Sequence, residues 1–85
     1  MLTIRFAALD DVLLLKTMIY EFAEFEHLPA SITEKTLAQD GFGPQPRFRV
    51  LLAEWDGQAA GYAFFFDCYS SFEGRLIFLE DIWLC

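Results

Sequence analysis

The sequence predicts an α+β fold, mixed α/β in content, with elements in the order β-α-α-β-β-β and an antiparallel meander flanked by helices. Three observations carry this. The apolar residues Val12, Leu15, Met18, Ile19, Phe22 and Phe25 recur at helical spacing. Asp56-Gly57, a strong hairpin-turn signal, separates two apolar runs. A further apolar run, Arg75 to Leu84, closes the chain.

Element by element, Thr3 to Ala7 reads as a short strand. Asp10-Asp11 offers an N-cap and favourable negative charge where a helix begins. The amphipathic helix from Val12 runs several turns and ends near His27, ahead of Pro29. Ser31-Ile32-Thr33-Glu34 fits a capping box, and Thr33 is a second N-cap candidate. A short helix from Glu34 to Gln39 should follow, broken by Gly41-Phe42-Gly43-Pro44.

Phe48 to Trp55 is apolar enough for a strand, and Ala59 to Asp67 is its return partner across the turn. Ser70 to Gly74 reads as a loop, and Arg75 to Leu84 as the last strand. The N-terminal strand can cover one side of the meander. The other side ends in an edge rich in Ile, Leu and Trp, a pairing hazard unless another chain covers it.

At 85 residues the chain is one domain or part of one. A chain of this size buries only about 60–65% of the surface its unfolded form exposes. Yet 55% of its residues are hydrophobic, 18% are aromatic and ten are Phe, more than a small core readily hides. It either oligomerises or lacks a packing partner. Such hydrophobicity excludes disorder. No apolar run reaches the roughly 18 residues of a membrane span. The start, Met1 to Phe6, has no basic region before an apolar run, so the expectation is a cytoplasmic protein with no membrane partner.

The net charge is −7, with only 6 Lys and Arg, which argues against nucleic acid as a partner. An acidic surface raises the local concentration of cations such as polyamines or lysine-like amines; it also serves plain solubility. Cys68 and Cys85 lack C-x-x-C spacing and His27 is the single histidine, so no metal site is expected and both thiols should be free.

Particular segments carry a family resemblance. Ile4-Arg5 with Ala8-x-x-Asp11, ahead of a long helix, is a common opening of Gcn5-related N-acetyltransferases. The segment Thr33 to Gly43, then Leu51-Leu52-Ala53-Glu54, Gly61-Tyr62-Ala63-Phe64 and Leu79-Glu80-Asp81-Ile82, follow in order with matching spacing. Together they resemble the diamine (spermidine/spermine) and thialysine acetyltransferase branch. The resemblance implies the acyl-CoA N-acyltransferase fold, a mixed sheet with flanking helices, and transfer of acetyl from acetyl-CoA to a primary amine.

It further implies that the backbone of Ile82, Trp83 and Leu84 pairs with the acetyl and pantetheine groups. The amine-binding positions map to Phe25, Glu26, Glu80 and Asp81, and a loop aromatic maps to Phe72. The family's Arg/Gln-x-x-Gly-x-Gly/Ala loop, which holds the pyrophosphate at a helix N-terminus, has no counterpart in residues 1–85. Those residues are therefore expected to form a partial N-acetyltransferase domain, the acceptor-binding half. Weak or absent acetyl-CoA binding and no activity of its own are expected of it. Gly41-x-Gly43-Pro44 is no substitute, because Pro44 removes an amide donor.

The chemistry needs the amine to shed a proton, from a pKa of about 10.4, and needs the thioester carbonyl polarised. Glu80 is the candidate catalytic carboxylate, a charge inside an apolar strand where it needs a partner or a function. Strand alternation sends neighbouring Asp81 to the opposite face unless a bulge intervenes. Either acid could instead blunt a sheet edge. Glu26 sits against the helix dipole, a conflict that a cationic ligand would relieve. Glu21 and Glu24 read as a solvated face. Phe25 fits a substrate contact or core packing, and Phe72 a substrate wall or a loop anchor. Trp83 packs, and His27 suits a helix end. A noncatalytic alternative is a truncated paralogue that dimerises, through the exposed last strand or a family-type interface.

Overall fold

A computed structural model describes residues 1–84. The thiol expected at Cys85 lies outside the described residues; Cys68 is a free, half-buried thiol. The elements are β1 (Leu2–Phe6), a 3-10 turn (Leu9–Asp11), α1 (Val12–Phe25), α2 (Glu34–Phe42), β2 (Arg49–Trp55), β3 (Gln58–Ser70) and β4 (Gly74–Leu84). The strands form one sheet in the order β1-β2-β3-β4, antiparallel at every pairing among the described residues.

Strand β1 covers β2, from Leu2 opposite Trp55 to Phe6 opposite Leu51. Arg5 ties three segments together. Its guanidinium donates to Asp11 in the 3-10 turn and to Glu54 on β2. Asp11 was expected to cap α1, but its side chain makes no cap hydrogen bond. It is engaged by Arg5 and by the Ala8 amide instead. The Met1 ammonium pairs with Asp56, whose amide also donates to the Met1 carbonyl.

One cluster holds both helices against the same face of the sheet. Val12, Leu15 and Met18 of α1 and Leu37 of α2 meet Val50, Leu52 and Tyr62. Leu15, Met18, Leu37 and Leu52 are at most 2% exposed. Each such side chain contributes about 1.5–3 kcal/mol of transfer free energy, so burial rather than propensity fixes α1.

Thr33 is the N-cap of α2, its hydroxyl accepting the Thr36 amide at 3.1 Å. The helix runs three residues past Gln39, the expected end. Gly41 does not break it, because the Phe48 ring fills the space a β-carbon would need. The Asp56-Gly57 turn has φ of 50° and 82°, the pair of positive values a two-residue hairpin turn uses.

Strand β3 also outruns the expected Asp67, reaching Ser70. Strand β2 begins opposite Phe65, so the five pairs from Phe66–Phe78 to Ser70–Gly74 form a two-stranded arm. The face of the sheet away from the helices is uncovered: Ile4, Phe6, Leu79, Ile82 and Leu84 are all more than half exposed. No helix of the described residues is long and apolar enough to cross a membrane.

Candidate functional site

The site begins where α1 stops. The His27 amide donates to the Glu24 carbonyl at 3.1 Å, and the Leu28 amide to the Ala23 carbonyl at 2.9 Å. This is the double hydrogen bond of a Schellman ending, which requires a left-handed residue. His27 fills that position, with φ of 57°. The ending turns the chain sharply, so that Leu28, Pro29 and Ala30 pass in front of the sheet. Glu26 is left at the C-cap, facing the same space.

Strand β4 supplies the other wall. Asp81 pairs with Phe64 and Leu79 with Phe65, so Glu80 is an extra residue, a β-bulge. The bulge changes what each face presents. Asp81 and Trp83 lie opposite Phe64 and Tyr62, on the helix side, whereas Leu79 and Ile82 lie on the open side. In a regular strand Leu79 and Asp81 would have shared a face.

Between these walls lies a cavity of about 190 Å³, lined by Ile19, Phe22, Glu26, Leu28, Tyr62 and Asp81 among others. Two carboxylates therefore face an otherwise apolar space. Asp81 is half-buried, and its pKa is raised, first by loss of water and then by the neighbouring Glu80 charge. None of the ion pairs among the described residues involves Asp81.

Behind the cavity Trp83 is stacked on Phe22, with centroids 5.3 Å apart and planes 10° apart, and touches Phe25 at 5.4 Å. Its indole N–H is enclosed without an acceptor among the described residues. Gly61 sits directly beneath the Trp83 carbonyl, where a β-carbon would overlap it. The missing side chain lets β3 and β4 close at this point.

The structure thus brings Glu26 and Asp81 together and places Phe25 and Trp83 beside them. It does not do so for Glu80, the expected catalytic residue. Glu80 is exposed and outside the cavity lining, because the bulge takes it out of the alternation. Phe72 is 97% exposed at the tip of the arm. Seven residues of strand from Gly74 to Asp81, about 23 Å at the usual rise, separate it from the cavity. Ile82 and Leu84 are exposed on the open face. On the side of β4 away from β3, no strand pairs with it among the described residues.

Sequence reasoning missed Phe22 and Tyr62 as wall residues. Phe22 precedes Glu26 by one helical turn, a spacing that could have found it. Tyr62 stands opposite Trp83, which only the pairing reveals. A wider groove of about 560 Å³ runs along α1 past Lys16, Tyr20 and Glu24; it shares Ala23, Leu28 and Ala30 with the smaller cavity, but its lining includes none of the expected site residues. Among the described residues no group of acidic, His and Cys side chains could hold a metal ion.

The fold has known counterparts. A predicted acetyltransferase from Clostridium acetobutylicum, solved with acetyl-CoA, superposes with a TM-score of 0.76 at 17% identity, over 99% of this chain and 60% of that one. That likeness establishes the fold. In sequence, the chain is 40% identical over 77 residues to a thialysine N-epsilon-acetyltransferase of Mus musculus, covering 79% of this chain and 45% of that protein. It is 31% identical over 90 residues to a human spermidine/spermine N(1)-acetyltransferase-like protein 1, covering 95% of this chain and 13% of that one. No protein-family model matches.

The architecture is part of the acyl-CoA N-acyltransferase fold. The chain belongs to the Gcn5-related N-acetyltransferase superfamily, in its polyamine and thialysine branch. It spans about half the length of the mammalian thialysine acetyltransferases it matches.

Proposed function

We propose that this chain forms the acceptor-amine side of an N-acetyltransferase, which moves acetyl from acetyl-CoA to a primary amine of a small polyamine or lysine-like substrate. The observation that carries the reading is the small cavity with Glu26 and Asp81 on opposite walls and aliphatic and aromatic side chains between them. A carboxylate pair attracts an ammonium group, and Ile19, Phe22 and Leu28 offer contact to its methylene carbons. Glu80 adds negative charge beside Asp81. Glu26, at the negative end of the α1 dipole, gains most from a bound cation.

Acetyl-CoA supplies the activated acyl group. The open edge of β4 fits its amide-bearing arm, because the main chain of Ile82, Trp83 and Leu84 has no strand beyond it among the described residues. Phe25 closes the aromatic wall between amine and acyl arm. The half-buried free thiol of Cys68 suits a reducing compartment such as the cytoplasm.

The test is acetylation of spermidine and of lysine analogues by the protein as its gene encodes it, followed by mass spectrometry. Spermidine is also titrated into this chain while the carboxyl resonances are followed. Acetyl transfer, with shifts at Glu26 and Asp81, is expected. Turnover of no amine, or binding elsewhere, overturns the reading.

A second reading, self-association through β4, is favoured by the uncovered apolar face and free edge of the sheet. Sedimentation tests it: a stable dimer supports it, and a monodisperse monomer at high concentration removes it.

A further inference from the structure

We infer that Tyr20 is a positioning residue for the amine cavity: its hydroxyl fastens the segment from Leu28 to Ile32 against α1 and so sets the wall that the acceptor meets. This rests on the transferase reading and deepens it, because Tyr20 is not among the residues that line the cavity.

Leu28, Pro29 and Ala30 belong to that lining, yet no helix or strand of their own holds them. They lie between the end of α1 and the start of α2 at Glu34. Such a stretch loses backbone freedom when it is ordered, and specific contacts must offset that loss. At one end the offset is the Schellman ending, where the Leu28 amide donates to the Ala23 carbonyl. At the other end the Tyr20 hydroxyl donates to the Ile32 carbonyl at 2.8 Å. From Pro29 to Ile32 this is the one hydrogen bond among the described residues. The Ile32 side chain packs against the buried cluster, so the fastening point is itself fixed.

The sequence explains why Tyr20 reaches this carbonyl. It stands about two helical turns before His27, and the left-handed His27 sends the chain back along α1. Lys16, one turn earlier, braces the ring with its ammonium 5.5 Å from the centroid. The same ammonium lies 3.9 Å from Glu34, the first residue of α2. Every partner in this fastening belongs to α1, the segment or the start of α2.

A phenylalanine in place of Tyr20 keeps the ring and its brace and loses only the fastening bond. The segment then spends part of its time away from the cavity. The apparent Kd rises as the inverse of the fraction in place, whereas the bound complex still contains the segment in place. Binding weakens and the chemical step does not, which separates KM from kcat.

The test is Tyr20→Phe in the protein as its gene encodes it, with methyl relaxation by NMR and spermidine as the probe. The Leu28 and Ala30 methyls should lose order while those of Leu15 and Leu52 keep it. Kd and KM for spermidine should rise about 2- to 10-fold, the range that one net hydrogen bond supports, with kcat little changed. Leu28 and Ala30 as ordered as in the parent, or a fall in kcat at unchanged KM, overturns the assignment. So does a variant that is less heat-stable with both constants unchanged. If the parent itself binds no spermidine, the transferase reading fails and the positioning role falls with it; the methyl order then shows separately whether the hydroxyl fastens the segment.

Discussion

Arg5 grips Asp11 with two parallel hydrogen bonds, Nη1 to Oδ2 and Nη2 to Oδ1, each 2.8 Å long. The fork joins β1 to the turn that starts α1, and Glu54 anchors the same guanidinium to β2 at 2.7 Å. The Arg5 hydrogen bonds, helped by the Ala8 amide, hold the Asp11 carboxyl below its ordinary pKa. A depressed carboxyl stabilises the fold above its unfolded pKa, near 3.9, and that contribution disappears as pH falls through the lower folded value. Asp11→Asn should therefore lower the thermal midpoint at pH 7 and flatten its decline below about pH 4. Calorimetry across that range checks both effects.

Asp81 has the opposite sign. Its carboxyl pKa is raised, by desolvation first and by Glu80 second. A raised carboxyl favours the fold only while protonated, so the protein loses this contribution as pH rises through the folded value. Asp81→Asn should be more stable than the parent at neutral pH, with the difference vanishing once both acids are protonated. Urea unfolding at two pH values measures this. A mutant less stable at neutral pH would show that the carboxylate has a stabilising partner.

His27 occupies a left-handed position that glycine adopts at lower cost. His27→Gly should gain up to about 1 kcal/mol, since a left-handed L-residue costs roughly 1–2 kcal/mol and glycine returns part of that as unfolded-chain entropy. Denaturant titration detects a change of this size. The aim of Glu26 at the cavity should survive, because both Schellman hydrogen bonds use main-chain groups.

Gly61→Ala should have a larger effect. The added methyl meets the Trp83 carbonyl, which is backbone and cannot rotate aside. A cost of about 1–3 kcal/mol, typical of overpacking, is expected, with a change in Trp83 fluorescence as the end of β4 lifts from β3. Gly57, with nothing near its missing β-carbon, offers no such contact, although its φ of 82° makes substitution there a backbone problem.

Much of this was legible in the chain. The helical repeat from Val12 to Phe25, the Asp56-Gly57 turn and the closing apolar run each express a local rule, and each element stands where it was expected. Glu26 was named by the family resemblance, and the conflict of its negative charge with the helix dipole agreed with that. What stayed hidden depends on neighbours distant in sequence. Leu79-Glu80-Asp81-Ile82 reads as ordinary alternation, and only pairing with Phe64 and Phe65 exposes the inserted residue. The extra turn of α2 depends on Phe48 lying against Gly41. The separation of Phe72 from the acids follows from the length of β3 and β4, which composition does not set.

The five-pair arm between Phe66–Phe78 and Ser70–Gly74 has a dynamic consequence. Each of its rungs has a neighbour on one side, while the rungs around Tyr62 sit between β2 and β4 beneath α1. Amide protons in the arm therefore open to deuterium well before those near Tyr62. Loosening starts at the aromatic tip and travels inward, so the acid-lined wall is among the last parts of the molecule to come apart.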